Sequence, residues 1–396
     1  MRSKINLLLY IFIFSITSSL FTACSKEEVK TPTLYDSSSL IENVDKETTR
    51  GLLALNPVVG KNAAEMPLLD IKVYRIVYNT TNYDGKQVKA SGALLVPNID
   101  KPLTIISYQH GTIWNESDAP SEYNTGKEIK MLATPLASMG YAVVVPDYIG
   151  YGASSDYIHP YEHAETLAKS SFDMLQAAKA FLKEKNVALN NKLVITGYSE
   201  GGSATMALHK YMEENSNEAI TLSIPASGAY NKTEANKLFA QEKAPSLMTK
   251  YFLWIVNTYK TIYQIDTPWT EMLNAPYGEM MNKLNTNFEL QYKKVQTIPQ
   301  ALLSKSFIEA LTTGNNPQIS NAVKDNDRWQ WVPKQPMMVF YSSSDNIVNP
   351  INSITAIQYM QSQGAPVQAV KVDGYNHYQA FGAYMATLFK VLPMYQ

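Results

Sequence analysis

The sequence predicts an α/β protein: a mostly parallel sheet covered by helices on both faces and interrupted by a helical insertion. Three observations carry this. Short, continuous apolar runs recur at "LTIISYQ" (103–109), "YAVVVPD" (141–147), "KLVITG" (192–197), "AITLSIPASG" (219–228) and "PMMVFYSSSD" (336–345), as expected of strands buried on both faces. Helix-compatible stretches around 127–139, 163–185 and 350–363 separate several of them, and strand–helix alternation favours parallel pairing. From about 229 to 333 the pattern changes to long helical stretches rich in aromatics, among them Phe239, Tyr251, Phe252, Trp254, Tyr259, Tyr263, Trp269 and Tyr277, with no strong strand.

Taken in order, Arg2 and Lys4 precede an apolar run from Ile5 to Ile16, which softens into Thr17-Ser18-Ser19 before Phe21-Thr22-Ala23-Cys24. That is the layout of a signal peptide, and the apolar part falls short of the ~20 residues a membrane span needs. Residues 25–66 are polar and lack sustained periodicity, so they read as a tether. "IKVYRIVYNTTNYDGKQVKASGALLVP" (71–97) alternates as two antiparallel strands with Asp84-Gly85 at the turn. "PVQAVKVDGYNH" (366–377) supplies the last strand. The expected division is a signal peptide over 1–24, a tether over 25–66, a sheet domain from 67–228 and 334–396, and an inserted helical cap over 229–333.

Composition narrows the function. The 396 residues are 45 % hydrophobic and 17 % charged with a formal net charge of -1, and no long single-sign run is present, so nucleic acid is not an expected partner. Cys24 is the only cysteine, which excludes an intrachain disulfide. His159 and His163 have the spacing of one helix face, but Pro160 stands where H-E-x-x-H needs glutamate and no third ligand is evident, so neither a metal nor another cofactor is expected.

The chemistry-bearing stretch is "TGYSEGGS" (196–203). It fits G-x-S-x-G, and the apolar strand before it and "SATMALHKYM" after it supply the strand–turn–helix setting in which such a serine is a nucleophile. A serine needs a base and an orienting carboxylate, and on this architecture they follow in the order acid, then histidine. His377 is the candidate base, because the only other later histidine, His209, lies within the nucleophile helix. Asp345, at the end of a buried strand, is the candidate acid, with Asp373 as competitor in a local turn. An oxyanion needs backbone N–H donors. Glu200 should supply one, and Thr112 the other, with Gly111 as the alternative; His110 reads as bracing that loop.

"SYQHGT", "APSEY" (119–123), "GYAVVVPDYIGYGAS" (140–154), "HPY" (159–161) and "GYSEGG", with the late aspartate and histidine, resemble the α/β-hydrolase superfamily and its secretory-lipase-like branch. The resemblance implies an esterase or lipase that works through an acyl-serine without a metal, with Ser199 as nucleophile, Asp345 as acid, His377 as base and Asp147 as a supporting loop residue. It leaves open a peptidase or acyltransferase on the same fold, an esterase acting on glycans, and a non-enzymatic surface binding protein. "FTAC" resembles a lipobox, with Phe21 in place of the usual leucine, and "SKEE" (25–28) looks like a surface-export flag. Together they imply lipidation at Cys24 and an outer-membrane lipoprotein exposed at the cell surface, with a periplasmic or secreted protein as fallback. The expected partners are a small-molecule, lipid or glycan ester and the membrane that holds the anchor.

Overall fold

The computed structural model describes residues 34–55, 60, 65–123, 128–284, 289–290 and 293–396. The expectations for the signal peptide and Cys24 lie outside these residues. Nine strands form one sheet in the order β1-β2-β3-β5-β4-β6-β7-β8-β9: β1 (Tyr35–Val44), β2 (Ile71–Thr81), β3 (Gln87–Pro97), β4 (Leu103–Gln109), β5 (Ala142–Pro146), β6 (Leu189–Tyr198), β7 (Leu222–Ala226), β8 (Met337–Ser342) and β9 (Val367–Val372). The first three strands and β5 pair antiparallel in succession, and from β5 onward the pairing is parallel. The sheet is therefore mostly parallel, as its unbroken apolar runs require.

Strand alternation sends successive residues to opposite faces, and each face buries its own set. Ile106, Val143, Val194, Ile224 and Phe340 meet Leu136 of α2 (Thr134–Ser138) and Tyr384 and Leu388 of α13 (His377–Val391). Ile105, Val144, Leu193 and Ile195 meet Met174 and Phe181 of α3 (Ala164–Glu184) and Leu208 and Met212 of α4 (Glu200–Asn215). Shifting one strand by one residue would exchange these sets, so register is held by burial on both sides.

Residues 35–54 depart from the expected tether. They form β1 and α1 (Lys46–Ala54), with Leu40 opposite Tyr74 and Val44 opposite Ile71 of β2. The reason the sequence hid them is their position: an edge strand half open to solvent needs no apolar alternation, and Ser37-Ser38-Ser39 satisfy the backbone ladder as well as valines would. Asp45 caps α1 by accepting from Thr48 N (2.7 Å), and Asp70 accepts from Lys46 N (2.8 Å). The last strand is also shorter than read: β9 stops at Val372 and His377 opens a helix.

Between β7 and β8 run α5 (Lys232–Ala240), α6 (Thr249–Ile262), α7 (Trp269–Met272), α8 (Tyr277–Asn282), α9 (Pro299–Leu302), α10 (Lys305–Thr313) and α11 (Pro317–Asp325). They bury a core of their own: Phe239, Phe252, Trp254, Tyr259 and Trp269 are buried, whereas Tyr251, Tyr263 and Tyr277 remain half-buried. Helix α12 (Ile351–Ser362) links β8 to β9. No helix among the described residues is long and apolar enough to cross a membrane.

Candidate active site

Strands β4 and β6 are neighbours, but their chains leave in opposite directions, one to β5 and the other to β7. Such a switch in connection opens a crevice at the carboxyl ends of the strands, where ligands of α/β sheets bind. Ser199 follows β6 there, and Gly111 and Thr112 follow β4.

Ser199 has φ +61° and ψ -121°, a conformation costly to a non-glycine residue and one tolerated only where surroundings enforce it. The enforcement is visible in its neighbours. A Cβ on Gly201 would lie 1.9 Å from Gln109 O, and one on Gly197 would lie 2.4 Å from the carbonyl oxygens of both Gln109 and Gly201. Strand β4, strand β6 and helix α4 thus touch backbone to backbone, and Ser199 N donates to Ala226 O (2.9 Å) to fix the turn against β7. The side chain of Ser199 is left projecting from the turn.

Three side chains then fall in line. His377 Nδ1 lies 2.7 Å from Asp345 Oδ2 and its Nε2 lies 2.9 Å from Ser199 Oγ. A carboxylate only accepts, so Nδ1 carries the proton and Nε2 is free to accept from the serine hydroxyl. Asp345 and His377 are both buried. The other carboxylate oxygen of Asp345 accepts from Ile347 N (3.0 Å) and Val348 N (2.9 Å), which aims Oδ2 at the imidazole. His377 begins α13 behind a capping box formed by Asn376 and Gln379. Its own N–H donates to Asn346 Oδ1 (3.2 Å), and its carbonyl accepts from Tyr198 OH (2.6 Å). Asp373 stays apart, exposed and paired with Lys371 (2.8 Å).

The backbone donors divide clearly. Gly111 N is already committed to Glu128 Oε1 (2.9 Å), whereas the amides of Thr112 and Glu200 donate to no acceptor among the described residues. Thr112 Oγ1 is held by Tyr161 OH at 2.9 Å. Ser199, His377, Thr112 and Gly111 line one cavity of about 400 Å³, whose wall is largely apolar, with Met131, Tyr161, Met248, Tyr251, Ile347 and Phe381.

Several residues of this neighbourhood escaped sequence reading. Glu128 accepts from Tyr108 OH as well as from Gly111 N, and nothing in its sequence position, at the start of a helical stretch, links it to that loop. Glu200 matters for more than its amide: its side chain is buried beneath the turn, with Oε1 2.8 Å from His159 Nε2, while His159 Nδ1 donates to Ile149 O (2.8 Å). Glu162, at φ +57°, forms a buried ion pair with Lys232 of α5 (2.9 Å). His159 and His163 do not share a helix face after all; the first is in a loop and the second precedes α3, with Nδ1 2.7 Å from Thr166 Oγ1. His110 packs on Tyr148 at 4.2 Å with its ring nitrogens facing the carbonyls of Gly111 and Asp147. Asp147 is fully buried and accepts from Ser121 N (2.7 Å) and Ser91 Oγ (2.6 Å); burial holds its carboxyl above the usual range. His209 bonds to Glu213 (3.1 Å) within α4, away from Ser199.

The family profile described as "Secretory lipase" matches residues 117–387, well over half of the chain. The chain belongs to the secretory lipase family. As a member it is a hydrolase of the α/β-hydrolase fold. Solved structures place the same fold beside it. A Legionella pneumophila protein described as a hydrolase superposes with a TM-score of 0.82 at 24 % identity, covering 91 % of this chain and 98 % of that one. The rice cell wall degrading esterase LipA from Xanthomonas oryzae, in a ligand-bound form, gives 0.80 at 22 % over 92 % and 99 %. Candida antarctica lipase A gives 0.64 at 17 % over 91 % and 80 %. No curated protein sequence matches this one.

Proposed function

We propose that this secretory lipase family member hydrolyses carboxylic esters through an acyl-serine intermediate. What supports the reading above all is the unbroken relay from Asp345 through His377 to Ser199, at 2.7 and 2.9 Å. Ser199 Oγ attacks the carbonyl carbon while its proton passes to His377 Nε2. The oxyanion is received by the N–H groups of Glu200 and Thr112, each worth ~10²–10³ in rate. Collapse expels the alcohol, which takes the proton back from His377. The same imidazole then removes a proton from water, and the hydroxide so formed releases the acid and restores Ser199. Asp345 stays ionised throughout and stabilises the imidazolium. The apolar cavity supports an acyl chain or an aromatic alcohol, and the stretch 229–333 serves as a cap that walls it through Met248 and Tyr251.

The deciding experiment is turnover of p-nitrophenyl acetate, butyrate and palmitate, with acetylated oligosaccharides alongside, by the full chain and by Ser199→Ala. We expect a drop of ~10⁴-fold or more in kcat for the variant with unchanged melting. Equal turnover in both would sink the nucleophile assignment, and cleavage of amides in preference to esters would move the chain to the peptidase reading. We further propose that Cys24 is acylated and holds the enzyme at the outer membrane, facing outward; the family's description as secretory supports export. Labelled palmitate should enter the wild-type chain and be absent from Cys24→Ser.

A further inference from the structure

Three of the carboxylate side chains around the candidate site face an ammonium or imidazole partner. Asp345 faces His377 (2.7 Å), Glu162 faces Lys232 (2.9 Å), and Glu200 faces His159 (2.8 Å). Glu128 differs. Its Oε1 takes the Tyr108 hydroxyl and the Gly111 amide, both neutral donors, and among the described residues no cationic side chain pairs with it. Tyr108 is fully buried, and burial together with the nearby Glu128 charge holds its phenol well above the ordinary range, so it acts as donor. The second oxygen, Oε2, lies over the oxyanion loop, 3.2 Å from where a Cβ of Gly111 would sit. Glu128 is half-buried and lines the same cavity as Ser199 and His377, together with the rings of Tyr161, Tyr251, Tyr378 and Phe381.

A negative group set in an apolar, aromatic cavity favours one kind of ligand. Charge attraction is stronger there than in water, and ring faces attract cations too. We propose that Glu128 forms a subsite for a cationic group, an ammonium or quaternary ammonium on the acyl or alcohol part of the substrate, and thereby selects cationic over anionic esters. This rests on the esterase reading for its chemistry but on the cavity alone for its binding. Glu128 makes no bond to substrate atoms that react; it decides which esters are held against Ser199.

The test compares p-nitrophenyl esters of γ-trimethylammoniobutyrate, of its uncharged tert-butyl isostere and of adipic acid, using the full chain. Wild type should favour the cation over the isostere by ~10-fold or more in kcat/KM, with the anionic ester slowest, the scale of an attraction across several ångströms in a partly desolvated site. In Glu128→Gln the cation-to-isostere ratio should fall to about one, whatever happens to the absolute rate. Tyr108→Phe, which keeps the charge, should retain the preference. No cation preference in wild type, or one that survives Glu128→Gln, overturns the proposal. If no ester is turned over, the esterase reading fails and binding decides separately: phenyltrimethylammonium, followed by intrinsic fluorescence, should bind wild type ~10-fold more tightly than Glu128→Gln, and equal affinities overturn the subsite.

Discussion

The turn that carries Ser199 and the helical stretch between β7 and β8 are held together by opposite means. The turn is fixed by backbone: Gly197 and Gly201 bring two strands and a helix into contact with no side chain between them. The helical stretch is fixed by side chains, with Trp254, Phe252, Phe307 and Met272 buried among α5 to α11. Backbone contact permits one residue type at a position, whereas a packed core accepts many combinations of similar volume. The first therefore writes itself into the sequence as a motif, and the second leaves only composition.

The sharpest way to break this comparison is to add one methyl to the turn. Gly201→Ala would drive a Cβ to 1.9 Å from Gln109 O and 2.8 Å from His110 O, and neither carbonyl can rotate away without parting β4 from α4. We expect a loss on the order of 4 kcal/mol or more, read as the shift in urea midpoint, and a fall in ester turnover of ~10²-fold or more in whatever folds, since displacement of the turn by ~1 Å misplaces the serine. Ala204→Gly or a similar small change elsewhere in α4 should not do this. Wild-type stability in Gly201→Ala would mean the close contact is not what shapes the turn.

Trp254→Ala tests the other half. The ring is fully buried, stacked on Tyr161 at 4.3 Å and beside Trp114 at 4.5 Å, so its removal opens a cavity that the surrounding rings fill only in part. The expected cost is ~3–4 kcal/mol, with Trp254→Phe recovering a substantial part. Because Tyr161 also positions Thr112, the alanine variant should lose kcat as well as stability. An alanine variant as stable as wild type would show that the helical stretch is loosely packed and contributes little.

What was legible follows the same division. Strands β4 to β8 could be read because burial on both faces forces apolar runs, β2 and β3 because they alternate on either side of a turn, and the places of Ser199, Asp345 and His377 because strand order sets them. Edge strand β1 could not, since its outward residues answer only to solvent. The reach of Glu128 to Gly111, the pairing of Glu200 with His159 and that of Glu162 with Lys232 join segments far apart in the chain, and no local pattern announces a partner 17 to 70 residues away. Thr112 was the expected donor and Gly111 its alternative, and what separates them is a remote side chain: the amide of Gly111 is engaged by Glu128 and that of Thr112 is not.

The seam between the sheet domain and the helical stretch supplies the smallest expected effect. His163 is buried where the loop before α3 meets the helical stretch, with its ring edge-on to Tyr263 at 5.8 Å and Asn326 Oδ1 accepting from the adjacent Ala164 N (2.8 Å). Burial pushes its pKa down to about 4; Asp325 opposes that shift, while Arg328 and Lys232 add to it. The unfolded chain binds this proton below about pH 6.5, and the folded chain only near pH 4. The stabilising contribution of neutral His163 is thus complete above pH 6.5, declines as pH falls between those values, and is exhausted below the lower one, a change of order 2–3 kcal/mol. His163→Asn keeps a residue favoured before a helix and removes the titration. The difference in unfolding free energy between wild type and His163→Asn, followed by urea titration from pH 7.5 to pH 4, should therefore shrink with acid; a difference independent of pH would place the proton elsewhere and leave the seam held by packing alone.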